Sequence, residues 1–105
     1  MNLINQLNDL VDKLNTLILA THDAFQQQQL KALRDALEAM RDKALHKLFD
    51  ETSEDFGAAT AALDEAAADA DAGAQDVANI AAAINSAVKA ANAADKVLGF
   101  LAHLA

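Results

Sequence analysis

Residues 3–25 read LINQLNDLVDKLNTLILATHDAF, and the spacing of their apolar side chains decides the fold. Ile4, Leu7, Val11, Leu14, Ile18, Thr21 and Phe25 recur at alternating threes and fours, the a/d pattern of a helix seam. Leu3, Leu10, Leu17 and Ala24 run beside that seam at sevens. Together they make an apolar face too broad for one partner helix to cover, so this helix needs at least two neighbours. Asn8, Asn15 and His22 form a polar heptad file beside the seam. Such a file either fixes register across an interface or is the wet edge of the helix.

Downstream, Gln26 to Gln29 interrupt the stripe, which resumes in a shifted phase at Leu30, Leu33, Leu37, Met40, Ala44 and Leu48. Thr21-His22-Asp23 reads as a tight turn, with Asp23 as N-cap and Gln26 in a capping-box relation to it. The alternative is one long helix with a stutter in its repeat. A second break falls in Asp50-Glu51-Thr52-Ser53-Glu54-Asp55-Phe56-Gly57. Lys43, His46 and Lys47 precede it and only acids follow. Cations suit the negative C-terminal end of a helix and anions the positive N-terminal end, so the charge flips where a helix junction requires it. Thr52 with Asp55, or Ser53 alone, can cap the helix that follows. That third segment has a thin stripe, Phe56, Thr60, Leu63, Ala67 and Ala70, and Gly73 either ends it in a left-handed cap or is run through. In the last segment Val77, Ile84, Ala91 and Leu98 repeat at sevens, with Ile80, Ala87, Ala94 and Leu101 between them. Its Ala-rich seam allows close helix approach.

The reading is an all-α antiparallel helical bundle in one domain, 1–105, with helices at about 3–20, 24–49, 54–71 and 75–103. Two architectures satisfy it. One is four helices packed within the chain. The other is a long hairpin, 2–50 against 53–105, with arms of about 75 Å at 1.5 Å per residue, that dimerises into a four-helix bundle.

Composition agrees. Proline and cysteine are absent, glycine occurs three times, and 53% of residues are apolar, too many for disorder. Without Trp or Tyr, and with few β-branched residues, strands have little to build with. Lack of cysteine excludes disulfides, a thiolate nucleophile and thiolate metal sites. The longest strongly apolar runs, 17–20 and 97–101, fall far short of the ~20 residues of a membrane span. Met1 to Leu10 lacks the basic region of a signal peptide, so a soluble, cytoplasmic protein is the expectation. The net charge of −8 disfavours nucleic acid and anionic membranes, and favours a basic protein partner unless it serves solubility alone.

Catalysis and cofactors find little material. The residues three before His22, His46 and His103 are Leu19, Lys43 and Phe100, so the Glu-x-x-His pair of a di-metal bundle is missing. Glu38, Asp42, His46 and Asp50 do lie at successive i+4 steps, but they share their surface with Arg34, Arg41 and Lys43 and read as a solvated ion-pair file. Asp69-x-Asp71-x-Gly73 starts like a calcium loop and then departs from it at Gly73, Ala74 and Ile80. Neither Ser53 nor Ser86 sits in a nucleophile elbow. No enzyme, cofactor or metal site is expected. The bases Lys31, Arg34, Arg41, Lys43 and Lys47 are diluted by Asp35, Glu38 and Asp42 and lack aromatic stacking partners. They are expected to face the acidic third helix.

The most distinctive stretch is 50–76, with nine acids and no Lys or Arg. Part of it matches the dipole of the third helix. Asp64, Glu65, Asp69, Asp71 and Asp76 have no evident capping duty, and Glu65 and Asp69 repel at i+4. A cost without structural return points to a partner, so these five are the candidate partner-binding residues. The function expected is a non-catalytic interaction module of inhibitor, immunity, chaperone or adaptor type. The alternatives are a self-assembling structural bundle, with a homodimer as its simplest form, and an amphipathic coat on lipid or hydrophobic granules.

Overall fold

The computed structural model describes residues 3–46 and 52–98. Four helices occur in order, α1 (Leu3–Ala20), α2 (Ala24–Ala44), α3 (Glu54–Gln75) and α4 (Ile80–Leu98), with a short 3-10 turn at Val77–Asn79 before α4. At 1.5 Å per residue these helices are about 27–33 Å long. The molecule measures 39 × 21 × 20 Å, so the four-helix bundle closes within the chain and the 75 Å hairpin does not form.

The first turn follows the sequence reading. Asp23, in extended backbone, accepts a hydrogen bond from the Gln26 N–H at 2.9 Å. The capping box is only half built. The Gln26 side chain accepts from the Thr21 hydroxyl at 3.3 Å, and the Asp23 N–H points to that same hydroxyl at 3.4 Å. Buried Thr21 takes the role that the box assigns to the glutamine. Gln27 reaches back to donate to the Ile18 carbonyl at 3.1 Å, one of the acceptors left open at the end of α1.

Ser53 caps α3 by accepting from the Phe56 N–H at 3.1 Å, and Glu54 and Asp55 fill the first turn where the dipole favours anions. Arg41 and Lys43 close α2 with the complementary sign. α2 stops at Ala44 rather than near 49, with Leu45 as its C-cap and Leu45 and His46 in a turn, a correction of the expected bound. Residues 47–51, Leu48 among them, and those from 99 onward lie outside the described residues.

Two expectations for the second half are corrected. α3 does not stop near residue 71 but runs through Gly73 to Gln75. Its buried row is Ala59, Leu63, Ala66, Ala70 and Gly73, while Phe56, Thr60 and Ala67 are half-buried. Gly73 is there for space rather than for a turn. A Cβ at this position would stand 3.1 Å from Leu17 Cδ2 and 3.4 Å from the Ala83 Cβ. The second correction is that the last helix begins at Ile80 rather than 75. Asp76 adopts an extended conformation, donates its N–H to the Ala72 carbonyl and accepts from the Ala78 N–H at 3.0 Å. That break shifts the helical phase and throws Val77 out of the seam to 62% exposure, while Ile80, Ile84, Ala87, Ala91, Ala94 and Leu98 remain buried.

Polar contacts fix the directions. Arg41 meets Asn8 and Arg34 meets Asn15, so α1 and α2 are antiparallel. Gln6 meets Asp64 and Lys13 meets Asp71, so α1 and α3 are parallel neighbours. Ser86 donates to Asp69, and the Gly73 backbone lies against Ala83, so α3 and α4 are antiparallel. The molecule is therefore two antiparallel hairpins laid side by side. α1 packs on α2 and α3, and α4 on α3 and α2, with α1 and α4 on one diagonal and α2 and α3 on the other. Leu7, Leu10, Leu14, Leu17, Leu30, Leu37, Met40 and Leu63 fill the middle.

Candidate interaction surface

The fold gives several of the suspected acids structural work. Asp64 Oδ1 accepts from Gln6 Nε2 at 2.9 Å, and the same amide donates to the Thr60 carbonyl at 3.0 Å. Asp71 takes Lys13 Nζ on both carboxylate oxygens, at 2.7 and 2.8 Å. Asp69 accepts from the Ser86 hydroxyl of α4. Asp76 closes α3 and opens the 3-10 turn. Of the five candidates only Glu65 is exposed without an ion pair or side-chain hydrogen bond among the described residues. The expectation that Asp64, Asp69, Asp71 and Asp76 lack a structural return is thus corrected. Three of them fasten α3 to its neighbours and the fourth makes the turn.

Gln6 and Lys13 were not singled out by the sequence reading, yet a signal for them exists. They stand seven residues apart on α1, as Asp64 and Asp71 do on α3. Two parallel helices that share a heptad spacing present matching rungs, in the manner of flanking positions in a coiled coil. On the opposite flank of α1, Asn8 and Asn15 make the same ladder with Arg41 and Arg34 of α2, at 3.1 and 3.2 Å. The asparagine file therefore sets register across an interface. Its third member, His22, is exposed in the turn. Arg34 and Arg41 of α2 accordingly face α1, not α3 as expected, while Lys31 is exposed and Lys47 lies outside the described residues. α2 and α3 lie on a diagonal, and the cation that reaches the acidic helix is Lys13 of α1.

Lys13 is held above the ordinary lysine range, first by its hydrogen bond to Asp71, against an opposing effect of burial, with Asp9 and the Asp71 charge adding to the rise. Gln6 is 5% exposed, and its Oε1 has no partner among the described residues. A buried unpaired acceptor costs about 1–3 kcal/mol.

Glu38 lies 3.9 Å from Arg34, and Asp42 lies 3.4 Å from Arg41. These two acids belong to ion pairs with α2's own arginines. His46 is exposed after α2, and Asp50 lies outside the described residues. Among the described residues no three His, Asp or Glu converge to hold a metal ion, and no helix is long and apolar enough to cross a membrane.

The parallel placement of α1 and α3 has an electrostatic consequence. α1, α3 and the Asp76 cap carry nine carboxylates against one cation, Lys13, whereas α2 and α4 with the Asp23 cap carry five carboxylates and six cations. The negative charge is gathered on one side of the bundle. Asp9 and Asp12 of α1 and Asp64, Glu65 and Asp71 of α3 are its exposed members along the helix barrels. Compared with known protein families, curated proteins and solved structures, the chain finds no match among any of the three.

Proposed function

We propose that this chain is a non-catalytic protein-binding module whose α1–α3 side meets a basic protein surface. One observation supports the reading above the others. The net charge sits mainly on α3, which has six carboxylates and no cation, beside α1 with two carboxylates and Lys13, rather than being spread over the four described helices. Several exposed acids with a single cation among them produce a field that attracts a basic partner, speeds the encounter and fades with salt. At physiological ionic strength the reach of that field is about 8 Å, so the effect belongs to this face and not to the whole molecule.

The self-assembly alternative drew on the broad apolar faces of the first and last segments. Among the described residues much of those faces is buried, with Leu7, Leu10, Leu14, Leu17, Ile80 and Leu98 essentially inaccessible. Among the described residues the large apolar side chains left exposed are Leu19, Phe25, Leu45 and Val77, all at helix ends or turns.

The test is capture from a lysate of the source with salt-stepped elution, using three baits. The natural chain and Lys89→Glu, altered on α4, should retain one basic protein and release it at moderate salt. Asp12→Lys combined with Glu65→Lys should lose it. Both substituted acids are exposed and make no side-chain bond among the described residues, and Glu65→Lys also removes the repulsion with Asp69, so the fold is preserved. Equal retention by all three baits, or recovery of the bait alone, overturns the proposal.

A further inference from the structure

We draw no further inference here: the strongest candidate, the outward face of α3 with its exposed Ala58, Ala61 and Ala68 beside Asp64 and Glu65, is part of the surface already described, and nothing in the structure shows what covers it.

Discussion

The two hairpins solve the same packing problem with different materials. In α1–α2 the buried side chains are mostly long, Leu7, Leu10, Leu14 and Leu17 on α1 and Leu30, Leu33, Leu37 and Met40 on α2. In α3–α4 most buried residues are small, Ala59, Ala66, Ala70 and Gly73 on α3 and Ala83, Ala87, Ala90, Ala91 and Ala94 on α4, with Leu63, Ile80, Ile84 and Leu98 among them. Small residues let backbones approach, and α3 and α4 are the most closely apposed pair in the molecule. Each alanine buries little area, so this hairpin gains less per residue from removing apolar surface from water. It compensates with helix propensity and dense backbone contact. The lesson is that one hairpin is sensitive to lost volume and the other to added volume.

Truncation should therefore hurt most in the first hairpin. Leu14→Ala removes a fully buried side chain at the centre of the core, and a loss of about 2–5 kcal/mol is expected in denaturant unfolding. Such a loss is a large share of the ~5–15 kcal/mol available to a domain of this kind. A change below 1 kcal/mol would mean that the core collapses around the gap, and would erase the distinction drawn between the hairpins.

Enlargement should hurt most in the second. Ala83→Leu places a branched side chain where the Gly73 backbone lies, at a cost of about 1–3 kcal/mol or more. A tolerated leucine would show that α3 and α4 can part without penalty.

The glycines sharpen the contrast on a smaller scale. A Cβ on Gly57 meets nothing within 4 Å, so Gly57→Ala should stabilise by about 0.5–1 kcal/mol through backbone entropy. Gly73→Ala has the same entropic gain, offset by the 3.1 Å approach to the buried Leu17 side chain, and should yield less. Paired thermal melts of the two variants decide this. An equal gain at both sites would remove the argument that Gly73 is kept for close approach.

The smallest effect concerns the polar ladder between the hairpins. Lys13 has its pKa raised in the folded state, so its contribution is complete below the unfolded lysine value of about 10.4 and is lost as pH climbs through the higher folded value. Stability measured against pH should fall at the alkaline end in the natural chain and fall less in Asp71→Asn. Both groups are partly exposed, so the pair is worth under about 1 kcal/mol. An identical alkaline profile in the two proteins would detach Lys13 from the α1–α3 contact.

Much of this was legible along the chain. Asp23 and Ser53 announce helix starts because a short polar side chain before an apolar run has few other uses. The 3–4 spacing from Leu3 to Ile18 names a buried face with little ambiguity. The base-to-acid reversal around residue 50 marks a junction because helix dipoles have a sign. α3 was harder. Its alanines are apolar on every side, so the expected stripe holds at Leu63 and Ala70 but takes Thr60 and Ala67, which are half-buried, in place of the buried Ala59 and Ala66. The candidate surface was the least legible part. Asp64 and Asp71 look surplus in sequence and prove to be rungs, because their partners Gln6 and Lys13 lie 58 residues away.

Local pattern along the chain is enough to set its helical class, the starts of three of the four described helices, and the acid-rich stretch. Apolar spacing, caps and dipole matching act within a few residues and leave local signatures. Which helices are neighbours is fixed by packing across the bundle. Amphipathic stripes are degenerate, and any one of them will pack on any other. Placing α3 beside α1, rather than beside the basic α2, pairs Gln6 and Lys13 with Asp64 and Asp71 and pairs Asn8 and Asn15 with Arg41 and Arg34. That choice also leaves the carboxylates of α1 and α3 on one side of the bundle.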